Sequence, residues 1–181
     1  RSKVALDIGA HVGLWSVDMA NHFKELICFE PIKESGECLI KNMADRNITN
    51  YRLHDCALGS EFGTVKLNTN DDNSGNPFVD NNGDEEARIK TLDSFGYGLI
   101  DFIKIDVEGY ELEVLKGGEH TIKLCKPIIV IEAKDKHYER YGTNFRKIMK
   151  WLIDRNYRLE NLVNSEAIFV DKDWPTRIHF A

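Results

Sequence analysis

Val4-Ala5-Leu6-Asp7-Ile8-Gly9-Ala10-His11-Val12-Gly13 is the stretch on which the reading of this chain rests. Val4 to Asp7 is a short apolar run closed by an acid, the pattern of a strand buried on both faces. Gly9 and Gly13 follow, and glycine lets a backbone bend sharply and approach a ligand closely. The spacing predicts a helix from about Val12 to Phe23, whose first backbone N–H groups have no partner inside the helix. In open α/β sheets, a strand ending in such a turn is where ligands meet the sheet.

The same grammar repeats outward from there. Leu26-Ile27-Cys28-Phe29-Glu30 is a second apolar run closed by an acid, and Pro31 opens a helix expected to reach Arg46. Tyr51 to Leu58 reads as a third strand ending at Gly59. Strand–helix–strand–helix–strand means a parallel sheet covered by helices. Thr64 to Asn68 alternates as an exposed strand would. Residues 68–86 then hold Asp71, Asp72, Asp80, Asp84, Glu85 and Glu86 and no base, and a mobile acidic loop is expected there. Strand character returns at Ala87–Leu92, Asp101–Asp106 and Ile128–Glu132. Helices are expected over Glu111–Leu124 and Asn144–Arg155. Tyr157–Leu162 and Ala167–Val170 are close enough to pair as a hairpin. The expected fold is a Rossmann-like α/β sandwich, mostly parallel, in a single domain over residues 1–181.

Composition narrows the function. The chain has 181 residues, 42% hydrophobic and 30% charged, with a net charge of −6. A sizeable core is expected, and the acidic balance argues against a nucleic-acid partner. No apolar run approaches the ~20 residues of a membrane span. Cys28, Cys38, Cys56 and Cys125 form no CxxC motif, and reduced thiols in a cytoplasmic protein are expected.

Five acids mark the five core strands at or near their ends: Asp7, Glu30, Asp55, Asp106 and Glu132. Five in register would line one rim of the sheet. A dinucleotide turn would read G-x-G-x-x-G. Here it reads G-x-x-x-G, with His11 where the middle glycine belongs, and Asp7 adds negative charge. Both oppose a pyrophosphate and suit a cationic amine. Glu30, 17 residues past Gly13, is placed to accept from ribose hydroxyls. S-adenosylmethionine fits the description of a ligand with a ribose, an amine and no required phosphate.

DIGAHVGLW (7–15), FEP (29–31), CALG (56–59), TLDSF (91–95), IKIDVEGYELEVLKGGE (103–119) and IIVIEA (128–133) together resemble the FkbM-type methyltransferases, a branch of the class I S-adenosylmethionine-dependent fold. The resemblance implies a seven-stranded sheet with an antiparallel last strand. It implies cofactor contacts along Asp7, Gly9, Ala10, His11 and Gly13, ribose binding at Glu30 beside Pro31, and adenine flanked by Asp55, Cys56 and Ala57. Asp106 and Glu108 would line the reaction centre, with Asp106 also near the cofactor. The family's acceptors are typically hydroxyls of sugars and secondary metabolites. Its turn usually carries Asn where His11 stands, and it often has an extension before the first strand, whereas only six residues precede Asp7 here.

A hydroxyl acceptor must lose a proton during attack. The candidate groups are Asp106, Glu108, Glu132 and His137, with Asp106 ranked first. His137, on a charged segment, is expected at the surface. Asp106 and Glu132 are the residues expected to hold a divalent ion if one is used. Asn73 and Ser74 in the acidic loop, with Lys104, Lys134 and His137, are expected to face a small, sugar-like substrate. Lys104 interrupts a core strand, so it either reaches an edge or pairs with an acid. Residues 134–158 carry eight bases against three acids, either a solvated helix face or a basic wall for an acidic acceptor. The alternatives are an RNA ribose or cap methyltransferase, a non-catalytic cofactor-binding module and a nicotinamide-dependent oxidoreductase. The missing glycine disfavours the last.

Overall fold

The computed structural model describes residues 3–69 and 77–174. Among them, seven strands form one sheet: β1 (Val4–Ile8), β2 (Glu25–Phe29), β3 (Tyr51–His54), β8 (Phe102–Ile105), β9 (Ile128–Glu132), β10 (Tyr157–Val163) and β11 (Glu166–Asp171). Their order is β10-β11-β9-β8-β1-β2-β3. Only β11 runs against the rest, pairing antiparallel with both β9 and β10. The other pairings, β1 with β2 and β8, β2 with β3, and β8 with β9, are parallel.

Side-chain alternation sorts the two faces. Ala5, Leu26 and Cys28 pack with Met19 and Ala20 of α1 (Leu14–Ala20) and with Leu39 and Met43 of α2 (Lys33–Ala44). Leu6, Ile27, Ile103 and Ile129 point the other way. They pack with Val114 and Leu115 of α3 (Glu111–Gly117), Ile122 of α4 (Glu119–Cys125) and Ile148 and Leu152 of α6 (Phe145–Ile153). Helices on both faces explain why the central strands carry almost unbroken apolar runs. No helix among the described residues is long and apolar enough to cross a membrane.

Several boundaries differ from those the sequence predicts. The first helix is shorter, beginning at Leu14. The expected strand Tyr51–Leu58 divides at Asp55–Cys56, because Ala57 and Leu58 (β4) leave the main sheet to pair with β7 (Glu85–Lys90). The helix over 111–124 divides at Gly117-Gly118, where glycine weakens helix continuation. A four-stranded sheet, in the order β4-β7-β5-β6 with β5 at Gly63–Asn68 and β6 at Phe78–Val79, gathers the two strands expected at 64–68 and 87–92, the second beginning two residues early, and adds β6 inside the stretch expected to be loop. The short α5 (Asp135–Tyr138) also carried no helical periodicity.

Candidate active site

A cavity of about 270 Å³ opens at the carboxyl ends of β1, β2 and β8. Gly9 forms its floor. The residue has a φ of +81°, and a Cβ there would lie 1.9 Å from the Asp106 carbonyl oxygen, so the turn after β1 can press against the end of β8 only with glycine in place.

Asp7 is fully buried in the cavity wall. Ser16 of α1 donates its O–H to Asp7 Oδ2 at 2.5 Å, while Oδ1 has no hydrogen-bond partner among the described residues. Burial pushes the Asp7 carboxyl above its usual range, and the positive charge of Lys104 acts against that rise. Glu30 is buried too, and each oxygen accepts one backbone N–H: Oε2 from His11 at 2.7 Å and Oε1 from Ile32 at 2.8 Å. The carboxylate thus clips the turn after β1 to the entry of α2. Burial, only partly offset by these bonds, raises its pKa to about 7. His11 has a φ of +49°, a left-handed conformation that Asn, Asp and His adopt more readily than most residues. That conformation aims its N–H at Glu30.

At the other end stand the acids after β8 and β9. Lys104 is 2% exposed, and its ammonium lies 3.1 Å from Asp106 Oδ2 and 5.4 Å from the centre of the Trp15 ring. It also pairs in register with Asp7 across β1 and β8. Of the two expectations for Lys104, pairing with an acid is the one observed. Glu108 has a φ of +55° and Gly109 of +107°, and a Cβ on Gly109 would lie 2.3 Å from the His137 carbonyl oxygen. This close approach packs α5 against the 106–109 turn. His137 is therefore buried, 4% exposed, and not the surface histidine its charged neighbours predict. Its Nδ1 lies 2.8 Å from Glu108 Oε2 and 3.5 Å from Glu132 Oε2. Glu132 also contacts Lys134 through its other oxygen.

Glu111, a residue for which sequence reading predicts no site role, organises this turn. Its Oε1 accepts from the N–H of Val107 at 3.1 Å and of Gly109 at 3.2 Å. Burial raises its pKa to about 7. The signal was its place at the start of α3, where an acid can accept the unpaired N–H groups around a helix entry.

Of the residues expected at the cofactor, Asp7, Gly9, His11, Glu30, Pro31, Cys56, Ala57 and Asp106 line the cavity. Ala10 and Gly13 lie behind the turn, outside the lining. Asp55 is a correction in position: it points to solvent and pairs with Arg88 at 2.8 Å, because the chain has left β3 and not yet entered β4. Lys104 and Glu108 line the cavity, whereas Glu132, Lys134 and His137 sit just beyond it. Asn73 and Ser74 lie outside the described residues.

The second sheet, two of whose strands the sequence pattern predicts, supplies a cavity wall through Leu67 and the unexpected β6. Leu67, Phe78 and Val79 line the cavity together with Tyr110. The Arg140 guanidinium stacks 3.6 Å from the centre of the Phe78 ring, and Tyr141 donates its O–H to the Val79 carbonyl at 2.8 Å. Many bases of the 134–158 segment are spent locally. Lys150 pairs with Asp154, Arg155 with Glu119 and Arg158 with Glu160, while Lys147 donates to the Gly142 carbonyl. The segment is mainly a solvated helix face with paired charges.

This strand order, with one antiparallel strand set between parallel ones and a glycine turn after β1, defines the Rossmann-like methyltransferase sandwich. Residues 7–159 match the model of the methyltransferase FkbM domain, and the chain belongs to that family. The chain is similar to the crystal structure of the methyltransferase FkbM from Methylobacillus flagellatus KT, with a TM-score of 0.71 and 19% identity over 93% of this chain and 43% of that one. It also resembles a Streptococcus mutans structure in complex with SAH, with a TM-score of 0.57 and 11% identity over 93% of this chain and 87% of that one. The relative named Methyltransferase 1 from Beauveria bassiana (strain ARSEF 2860) is 23% identical over 62% of this chain and 57% of its own length. The chain thus spans under half of the FkbM structure and little more than half of the fungal relative.

Proposed function

We propose that this chain binds S-adenosylmethionine in the cavity and transfers its methyl group to a hydroxyl of a small, sugar-like acceptor. The observation that carries the reading is one cavity bounded by Asp7 and Glu30 at one end and by Asp106 and Glu108 at the other. The residues fit the cofactor. Asp7 Oδ1, buried and without a hydrogen-bond partner, suits an ammonium donor. Glu30 spends one lone pair of each oxygen on backbone N–H groups and keeps others for vicinal hydroxyls. Cys56, Ala57 and Leu58 offer an apolar edge for a flat base.

When bound, the cofactor supplies a sulfonium carbon that is already electrophilic. The chain's task is alignment and proton removal. Asp106 and Glu108 leave the β8 end on the cavity side, where an acceptor hydroxyl would approach. Lys104 holds the Asp106 carboxylate in place, and Glu111 holds the backbone of the turn that carries Glu108. Phe78 and Tyr110 give the acceptor an aromatic wall. The pairing of the basic segment's charges supports a small acceptor over RNA.

Incubation with methyl-labelled S-adenosylmethionine and a panel of sugars and hydroxylated metabolites tests this. The expected result is label on an oxygen of a small molecule, lost with Asp106→Asn at unchanged cofactor affinity. Label confined to RNA, or to nitrogen or carbon, would contradict the acceptor class.

A further inference from the structure

We infer that Glu108, Glu132 and His137 form a binding site for one divalent transition-metal ion at the edge of the cavity. A carboxylate oxygen from each glutamate and one imidazole nitrogen lie within 4.8 Å of one another. Ligands bound to a single ion at about 2.0–2.2 Å stand roughly 3–3.5 Å apart. The two measured separations from His137 Nδ1, 2.8 Å and 3.5 Å, bracket that spacing. The arrangement comes from three separate elements: the 106–109 turn, the end of β9 and α5.

Two further observations point to a cation. His137 Nδ1 is buried and, close as it lies to both carboxylates, makes no hydrogen bond with either. The side chain is 5% exposed, so water is no general substitute. The surroundings are also short of positive charge. Asp106 faces both Asp7 and Glu166, Glu132 faces Glu166, and Glu108 lies beside Glu132, while Lys104 and Lys134 are the lysines that face them. Lys104 is committed to Asp106. Lys134 touches Glu132 through Oε1, which leaves Oε2 facing His137. A divalent ion between Glu108, Glu132 and His137 would make up that shortage.

The donor set selects the metal. One imidazole with two carboxylates suits Mn²⁺ or Zn²⁺, whereas Mg²⁺ and Ca²⁺ prefer oxygen alone. Three protein ligands leave open positions, and Glu108 lines the cavity, so those positions face the acceptor space. An ion there would hold an acceptor hydroxyl and ease its deprotonation. That role rests on the proposed function, but the existence of the site does not.

Equilibrium dialysis of the chain with Mn²⁺, Zn²⁺ and Mg²⁺, with S-adenosylhomocysteine binding measured in parallel, tests the inference. The expected result is one Mn²⁺ or Zn²⁺ per chain, held at least tenfold more tightly than Mg²⁺. Glu132→Gln and His137→Gln should each weaken it at least tenfold, with S-adenosylhomocysteine affinity kept within twofold. Should the variants fail to fold, pulsed electron paramagnetic resonance of Mn²⁺ on the unaltered chain still decides, because one imidazole ligand must show ¹⁴N coupling. No metal binding, Mg²⁺ preferred, or bound Mn²⁺ without nitrogen coupling would overturn the site. Metal bound without S-adenosylhomocysteine binding would leave the site standing and remove the cofactor reading. The reverse would remove only the metal.

Discussion

The two ends of the cavity are built by different means. At the β1–β2 end, backbone groups fix the geometry: Glu30 is clamped by two N–H donors, and Gly9 seats the turn against β8. At the β8–β9 end, side chains set the geometry: Lys104 pairs with Asp106, and Glu108 and Glu132 converge on His137. A backbone-built end keeps its shape when a neighbouring charge changes. A side-chain-built end depends on protons, ions and the acceptor. The first suits an invariant cofactor and the second suits chemistry.

Substitutions should separate the ends. Gly9→Ala has the largest expected effect. A Cβ 1.9 Å from a backbone oxygen cannot be accommodated without moving β8 or the turn. A loss of about 3 kcal/mol or more in urea denaturation is expected, with S-adenosylmethionine binding lost in parallel. Stability and binding both unchanged would mean the turn is not rigid. Lys104→Met strikes the other end. It leaves Asp106 without its ion-pair partner and, across the β1–β8 pairing, takes from Asp7 a facing positive charge, and about 3 kcal/mol of destabilisation is expected by the same measurement. A neutral or stabilising outcome would mean the charges at this end are not held by one another.

The pH dependence is smaller and has a definite sign. Glu30 and Glu111 both have pKa values of about 7, above the ordinary 4.5. A raised carboxyl favours the folded state fully below its unfolded value and loses that contribution as pH rises through the folded value. Stability should therefore decline between about pH 4.5 and 7.5, and Glu111→Gln should flatten the decline. Thermal melts across that range check it, and an unaltered profile in the variant would exclude Glu111. Ser16→Ala is the mildest change. It removes the donor to Asp7 and should cost about 1–2 kcal/mol in denaturation while leaving the β8–β9 contacts intact.

The same contrast governs how far the sequence alone could be read. The order of strands and helices, the glycine turn, Glu30 and the antiparallel β11 follow from local apolar runs, glycine placement and the family resemblance. All of that information is carried close along the chain. What escaped depends on distant packing. Asp55 sits at a strand end by pattern, but β4 defects to the second sheet and turns the acid to solvent. His137 looks solvated among Lys134, Asp135 and Lys136, yet Gly109 admits α5 so closely that the ring is buried. In the second sheet, β5 and β7 follow from their patterns, but β6 lies in the acid- and Asn-rich stretch and, at two residues, is too short to show a period. Lys104 stands out in a core strand by its type, but its partner Asp106 is set only by the fold.

The central claim is that the backbone-built end holds the cofactor through Glu30. Calorimetric titration with S-adenosylmethionine and with NAD, on the unaltered chain and on Glu30→Gln, tests it most directly. One molecule of S-adenosylmethionine bound per chain is expected, with no comparable binding of NAD. Affinity should rise as pH passes through about 7, where the Glu30 carboxyl ionises, and fall roughly 10- to 100-fold, with a flat pH profile, in the variant. NAD bound more tightly, or S-adenosylmethionine bound equally by both proteins at every pH, would contradict it.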